Sequence, residues 1–249
     1  MKKEQLDETK RWKLKLIMEA RSYLHQGLKE KALECYTKLL EENSSDFDAL
    51  YGIGMLYFEM GENEKALKYL DMILEQKDDH IDALYAKGTI LVRLENYKKA
   101  LKILEKVVLL KPDFYLGWLS IGCAAAALHN YEDALSYFRK VEVLGKEEFV
   151  YTEKARIYKN QNKKKLASKF YFKALEVDPF DSEALFGLGE LAIQEKDWKK
   201  ARDYLTKSVI QNEKNIAAWK LLVKVYQQLS DSKREQIAKK RVNLLSKKQ

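Results

Sequence analysis

Apolar and small side chains along the chain recur in short amphipathic stretches that come in pairs. In one pair, Leu50, Ile53, Gly54 and Tyr57 mark the first stretch, and Ala66, Leu67, Leu70, Ile73 and Leu74 mark the second. This spacing of i, i+3, i+4 and i+7 is typical of an amphipathic helix of ordinary length. The chain has no sustained alternation of period two and no Asn-Gly or Asp-Gly hairpin turn. The pattern therefore predicts an all-α fold.

Two series of small residues show that the helix pairs repeat at a fixed interval. The first series is Ala20, Gly54, Gly88, Gly122, Ala155 and Gly189, and the second is Ala32, Ala66, Ala100, Ala134, Ala167 and Ala201. Both are spaced by 34 residues, with one interval of 33 at the same place in each. A fixed period of this length is typical of a solenoid. It divides the chain into a lead-in, 1–12, and seven repeats, 13–46, 47–80, 81–114, 115–147, 148–181, 182–215 and 216–249.

The turn residues fit a helix–turn–helix repeat. Gly27 and Gly61 lie where the chain must reverse, and we expect both to adopt the left-handed conformation of a helix C-cap. Ser45 with Asp48, and the equivalent pair of the next repeat, have the spacing of a capping box. Because the two helices of a repeat cross at close range, we expect the small residue of the first helix to meet the Ala of the second.

The seventh repeat departs from the pattern, because Glu235 occupies the position of the second Ala. Ala238, Val242 and Leu245 restore the spacing if the preceding turn is three residues longer. We therefore predict a modified terminal hairpin with helices over 216–230 and 233–247. Its charged surface suits a terminal repeat, which needs a polar outer face.

These residues resemble the tetratricopeptide repeat over essentially the whole chain. Counting positions from the first residue of each repeat, position 8 is Gly or Ala and position 20 is Ala in six consecutive repeats. The family pattern also includes Trp118 and Trp219 at position 4, Tyr23, Tyr57, Tyr158 and Tyr226 at position 11, Tyr36, Phe138 and Tyr171 at position 24, and Pro112 and Pro179 at position 32. The resemblance implies a single right-handed superhelical solenoid of antiparallel helix pairs, with the first helices lining a concave groove.

We expect function to lie in that groove, because a solenoid buries most other apolar positions between repeats. In this register the groove positions are 2, 5, 9, 12 and 13 of each repeat. They are mostly apolar in repeats two to four and become polar and basic in repeat five. The candidate peptide-binding residues are Tyr51, Met55, Phe58, Tyr85, Thr89, Val92, Arg93, Leu119, Cys123, Arg156 and Lys159. Contiguous exposed apolar side chains mark binding surfaces, and aromatic anchors dominate them.

The predicted ligand is a partner peptide with apolar anchors across repeats two to four. Its acidic residues would face Arg93, Arg156 and Lys159 further along the groove. The alternative is that some groove residues, Met55 and Cys123 above all, pack against the neighbouring first helix, since Met at helical spacing often belongs to a core.

Two specialised grooves of related proteins do not match. The family's carboxylate clamp for acidic chaperone tails needs Lys at position 5 and Asn at position 9, where the first repeat has Ile17 and Arg21. The related pentatricopeptide proteins read RNA with small polar residues at position 5. That series is mostly apolar in this chain, beginning with Ile17, Tyr51 and Tyr85.

The excess of positive charge is concentrated towards the carboxyl terminus. Residues 182–249 hold 15 Lys or Arg against 8 Asp or Glu, which is +7 of the total of +8. The basic residues of the last helix and tail are Lys233, Arg234, Lys239, Lys240, Arg241, Lys247 and Lys248. This surface could bind nucleic acid or an acidic partner. A solvated face is favoured, because Lys outnumbers Arg and Arg is the better phosphate ligand. Self-association through the groove or the last hairpin is a third alternative.

Catalysis and cofactor binding find no support in the sequence. His25, His80 and His129 occupy different positions of the repeat and share no face, so we expect no metal site. Phosphate-binding loops and nucleophile motifs are absent, and the repeats occupy the chain. Cys35 and Cys123 form no disulfide framework, the charged start gives no secretory signal, and no apolar run is long enough to span a membrane. We therefore predict a cytoplasmic, non-enzymatic protein-interaction scaffold without cofactors.

Overall fold

The computed structural model describes residues 2–247, and the side chains of residue 8 and of residues 10–247. The helices are α1 Lys2–His25, α2 Lys29–Glu42, α3 Phe47–Glu59, α4 Asn63–Gln76, α5 Ile81–Arg93, α6 Tyr97–Leu110, α7 Tyr115–Ala127, α8 Tyr131–Val143, α9 Tyr151–Asn160, α10 Lys164–Val177, α11 Ser182–Gln194, α12 Trp198–Gln211, α13 Ile216–Gln228 and α14 Ser232–Ser246. A 3₁₀ turn, Glu147–Val150, precedes α9. Between residues 2 and 247 there is no strand, so the all-α prediction is confirmed.

The chain divides into two compact modules, an N-terminal module up to His129 and a C-terminal module from Asn130. In the N-terminal module each helix packs on the next along the chain, and α3 also contacts α5, as α5 contacts α7. The C-terminal module shows the same order from α9 to α14, with α9 against α11 and α11 against α13. Each module is therefore a helical solenoid of stacked helix pairs. The single superhelix over 1–249 and its handedness stay predictions.

The first helix is longer than the repeat pattern indicates. Residues 2–12, predicted as a lead-in, form one continuous helix with residues 13–25. At the other end, α13 and α14 match the predicted terminal hairpin to within two residues, and Ala238 is buried as the restored spacing requires. Met1 and Lys248 lie outside the described residues.

The small residues are buried at the helix crossings, and the expected Gly–Ala contact occurs at one of them. A Cβ atom on Gly54 would lie 3.5 Å from the Ala66 carbonyl oxygen. One on Gly88 would instead lie 2.5 Å from a methyl group of Leu104, and one on Gly189 would lie 2.6 Å from Cγ of Leu205. Both leucines occupy position 24, whose side chain points back along the second helix and covers the crossing.

A second set of close contacts, between successive repeats, was not predicted. A Cβ atom on Gly52 would lie 2.5 Å from Cζ of Tyr36, and one on Gly187 would lie 2.1 Å from Cζ of Tyr171. Both tyrosines are buried residues at position 24 of the preceding repeat. The glycine at position 6 therefore makes room for an aromatic ring of the second helix stacked against it.

Position 15 of the repeat is left-handed throughout the described turns. Gly27 has a φ of 75° and Gly61 a φ of 82°, which confirms the two predicted C-caps. The same position has positive φ at five residues other than glycine, which are Glu95, His129, Asn162, Lys196 and Ser230. The turn geometry is fixed by the packing of the helix pair, so these residues accept a conformation that costs about 1 kcal/mol or more relative to Gly.

Replacing Glu95 with Gly is therefore expected to stabilise the protein by about 0.5–1 kcal/mol, because Gly adopts a φ of 57° without strain. Urea denaturation of the variant and the parent measures the change. Glu105→Gly is the matched control, since Glu105 lies in the exposed interior of α6 and its loss should cost about 1 kcal/mol. Destabilisation by both substitutions would contradict this account of the turn.

The helix N-caps lie one residue later than the capping-box spacing indicates. The carboxylate of Asp46 accepts a hydrogen bond from the Ala49 N–H at 3.0 Å, and Nδ1 of His80 accepts one from the Ala83 N–H at 3.3 Å. Ser45 is exposed and lies outside the cap. The cap is thus the last residue of the repeat, position 34, and this structural role accounts for His80.

Candidate functional site

The face formed by the first helices of the N-terminal module contains a groove of about 520 Å³. Its walls come from α1, α3 and α5, and the ring of Tyr36 from α2 contributes to its floor. Ile17 and Met18 of α1 lie opposite Tyr51 and Met55 of α3. The groove thus crosses the first three repeats, whereas the sequence places the ligand across repeats two to four.

The α1 wall of the groove is unusually apolar for an exposed surface. Leu14 is 59% exposed and Met18 is 70% exposed. Tyr51 and Met55 on the opposite wall are half-buried and rest on the core around Leu70. These two residues therefore pack against their own module and also line the groove.

The floor of the groove depends on a glycine, which has no side chain. Gly52 of α3 leaves room for the Tyr36 ring, and both residues line the groove. Burial raises the pKa of the Tyr36 hydroxyl, so the ring stays neutral at physiological pH. The floor is therefore uncharged and rigid, which favours an apolar ligand group above it.

Charged groups line the rim rather than the floor. Lys13 bridges Asp46 and Asp48 at 2.7 Å each, and the side chains of Lys29 and Glu59 form an ion pair at 3.5 Å. Asp82 is exposed and has no ion-pair partner among the described side chains. Burial, followed by the charge of Asp82, raises the pKa of Tyr51. Of the charged residues that line the groove, Asp48 and Glu59 are thus paired, whereas Arg21 and Asp82 have no ion-pair partner among the described side chains.

The remaining predicted residues of this module do not line the groove. Tyr85, Thr89, Val92, Leu119 and Cys123 are all half-buried on the first helices. The Tyr85 ring packs edge-on against Phe114 at 4.9 Å between centroids. Burial raises the pKa of the Tyr85 hydroxyl, and the smaller effect of a hydrogen bond with Ser120 lowers it.

Phe58 and Arg93 form a contact of their own beside this groove. The guanidinium of Arg93 lies over the Phe58 ring at 5.0 Å from its centroid. This cation–π contact covers one face of the Phe58 ring. The groove geometry therefore selects Tyr51 and Met55 from the N-terminal candidates, and the role of the others stays a prediction.

The structure also adds residues that the prediction left out. Leu14, Ile17 and Arg21 line the groove and occupy positions 2, 5 and 9 of the first repeat. These are the same groove positions that selected Tyr51 and Met55 in the second repeat. The repeat register therefore identifies these three residues from the sequence. It does not identify Met18, because position 6 is not a groove position.

In the C-terminal module, the predicted basic residues have carboxylate partners within the protein. Arg156 pairs with Glu153 at 3.1 Å and lies 3.7 Å from Glu183, and Lys159 pairs with Glu190. Burial raises the pKa of Glu153, and the smaller effect of Arg156 opposes this. A ligand carboxylate would have to compete with these groups, so the proposed role of Arg156 and Lys159 toward an acidic peptide stays a prediction.

Other chemistry on the described residues is limited. No group of three or more His, Cys, Asp or Glu side chains in the part of the chain with described side chains could hold a metal ion. Cys35 and Cys123 are not joined in a disulfide. A bilayer-spanning helix would need a longer apolar stretch than any described helix contains.

The helix pairs and the groove define a helical-repeat protein of the protein-interaction class. A family model described as tetratricopeptide repeat matches residues 85–147 and 152–216, which is just over half of the chain. A second, described as anaphase-promoting complex, cyclosome, subunit 3, matches residues 25–107. The chain therefore belongs to the tetratricopeptide repeat family, whose fold is that of a protein–protein interaction scaffold.

Solved structures show the same fold. A tetratricopeptide repeat protein from Parabacteroides merdae is 21% identical over 85% of this chain and 83% of its own length, with a TM-score of 0.70. PilF of Pseudomonas aeruginosa is 19% identical over 90% of this chain and 99% of its own, also with a TM-score of 0.70. YrrB, described as a tetratricopeptide repeat protein with an unusual peptide-binding site, is 23% identical over 75% of this chain and 96% of its own, with a TM-score of 0.55. A search of curated protein sequences returned no match.

Proposed function

We propose that this protein is a non-enzymatic scaffold that binds a peptide segment of a partner protein in the groove between α1, α3 and α5. The observation that carries the proposal is the apolar pair of walls, with exposed Leu14 and Met18 on α1 facing Tyr51 and Met55 on α3. Exposing apolar side chains on two sides of one groove to water is unfavourable, and the free energy falls when a ligand covers them.

The size and lining of the groove suit a few side chains of a peptide. Its volume of about 520 Å³ falls within the usual range for ligand sites. Tyr51 supplies a large contact area with little conformational freedom, while Met18 and Met55 adapt to irregular shapes. The ligand class is therefore a segment with one or two large apolar anchors. YrrB, which has a similar fold and is described as having a peptide-binding site, supports this class.

The proposal also includes the absence of catalysis and a reducing compartment. His80 lines the groove, but its Nδ1 accepts the hydrogen bond that caps α5. The reduced state of Cys35 and Cys123 supports the cytoplasmic location predicted from the sequence. A scaffold that works by binding in the groove needs no catalytic residue and no cofactor.

The test is the affinity of a partner recovered by affinity purification with the full chain. Replacing both Tyr51 and Met55 with Ala should weaken its binding about 10- to 100-fold, because aromatic and other large anchors carry most of the energy of such sites. Leu109→Ala is the control, since Leu109 is an equally apolar, exposed residue of α6 outside the groove. Phe58→Ala, beside the groove, should have a smaller effect. Binding by the double variant within about twofold of the parent, set against that expected 10-fold or greater loss, would refute the proposal.

A further inference from the structure

A second groove, of about 510 Å³, lies in the C-terminal module between α12 and α14. Val209 and Ile210 form one wall, Ile237 and Leu244 form the other, and Trp219 of α13 lies between them. Ile210 is 65% exposed, Ile237 is 55% exposed and Leu244 is 47% exposed. This groove is separate from the one between α1, α3 and α5, and its walls come from second helices.

The α14 wall presents one helix face to the groove. Ile237, Lys240, Arg241 and Leu244 follow i, i+3, i+4 and i+7, so they share a face about two turns long. Apolar side chains lie at both ends of this face and cations lie between them. A groove with apolar side chains on two walls can receive the apolar face of an amphipathic helix.

The groove is held in shape by polar contacts at one end. The Trp219 indole N–H donates a hydrogen bond to the Glu213 carbonyl at 2.9 Å, which fixes the ring. The carboxylate of Glu213 pairs with Arg241 and so ties α14 to the end of α12. Because these contacts order the walls before a ligand arrives, little side-chain freedom would be lost on binding.

The charge around this groove indicates which charge its ligand carries. α14 carries five basic residues and one acidic residue, Glu235. Arg234, Lys239 and Arg241 have ion-pair partners, whereas Lys233 and Lys240 have none among the described side chains. Lys240 lines the groove directly. An occupant that carries negative charge beside its apolar side chains would match both features of this surface.

We propose that this second groove binds an amphipathic helical segment of a partner protein, with Asp or Glu flanking its apolar stripe. A nucleic acid fits the observations less well. The exposed groups of Ile210, Ile237 and Leu244 are apolar and offer nothing to a phosphate backbone. The site therefore goes beyond the peptide groove of the N-terminal module and does not depend on it.

The experiment selects ligands for the full chain from a display library of random peptides of about 15 residues, roughly four turns of helix. Clones are sorted by binding to the parent, to Ile237→Glu, and to the Tyr51→Ala, Met55→Ala double variant. Ligands lost only with Ile237→Glu report the second groove, and ligands lost only with the double variant report the first. Val177→Glu on α10 is the matched control, because it places the same charge on an equally exposed apolar position outside the groove.

We expect the Ile237-dependent ligands to combine a helical apolar stripe with flanking Asp or Glu. Their affinity should fall about 10-fold or more with Ile210→Glu or Ile237→Glu, and less than about twofold with Val177→Glu. Lys240→Glu should weaken them and flatten the salt dependence of binding. The proposal fails if no ligand depends on Ile237, if those that do are basic or uncharged, or if RNA competes for the groove as well as the peptides do.

Discussion

Replacing Glu142 with Gln is expected to destabilise the C-terminal module by about 2–3 kcal/mol. Lys154 is only 8% exposed, and its ammonium lies 2.6 Å from the Glu142 carboxylate and 4.7 Å from the centre of the Phe170 ring. Without the carboxylate, a buried cation would keep its desolvation cost and lose its counter-charge. Urea denaturation of the full chain measures the change.

Two further variants separate burial from charge pairing. Lys154→Met removes the cation and keeps the volume, so it should cost less than about 1 kcal/mol, and adding Glu142→Gln to it should cost little more. Glu62→Gln breaks the exposed Glu62–Lys65 pair and should cost less than about 0.5 kcal/mol. Equal effects of Glu142→Gln and Glu62→Gln would show that the Lys154 site is not the buried ion pair described here.

Gly187→Ala should destabilise the same module by about 1–3 kcal/mol. The added Cβ would lie 2.1 Å from Cζ and 2.5 Å from the hydroxyl oxygen of Tyr171, whose side chain is fully buried. A rigid ring enclosed on all sides has no free rotamer to move into, so α11 and α10 must separate. Thermal denaturation followed by circular dichroism measures the loss.

Gly54→Ala makes the matched substitution at the interior of another first helix. Its Cβ would lie 3.5 Å from the Ala66 carbonyl oxygen and from Leu70, which is ordinary van der Waals contact. Since Ala also favours the helix over Gly, this variant should gain about 0.5–1 kcal/mol. The two Gly→Ala changes therefore have opposite expected signs. Two changes of the same sign would contradict the packing described for these crossings.

The repeat and its helices could be predicted from the sequence because both are local properties. Small residues at positions 8 and 20 mark each crossing, and the glycines at position 15 mark the turns. The partner of a small residue depends on the register between helices, which the sequence alone does not determine. For that reason the contact between Gly187 and Tyr171, which belong to successive repeats, was missed, and Leu104 rather than Ala100 meets Gly88.

The candidate site stays a prediction, and the structure shows only where its residues lie. Tyr51 and Met55 line the first groove. The α1 wall was not predicted, because the apolar groove was assigned to repeats two to four and α1 belongs to the first repeat. Glu183 and Glu190, which lie beside Arg156 and Lys159, occupy groove positions of the next repeat. Their pairing depends on the distance between two stacked first helices, and positions in the sequence repeat do not give that distance. The second groove was signalled only by the basic composition of α14, since its apolar walls lie on second helices.

Photocrosslinking tests the central claim, that the groove between α1, α3 and α5 receives a partner segment, most directly. A benzoylphenylalanine at position 51 keeps an aromatic group in the groove wall, and one at position 109 of α6 serves as the exposed control. Irradiation with the purified partner should join the partner to position 51 and leave position 109 unlinked, with the crosslink mapped to an apolar stretch of the partner. Equal crosslinking at both positions, or crosslinking at 109 alone, would contradict the account.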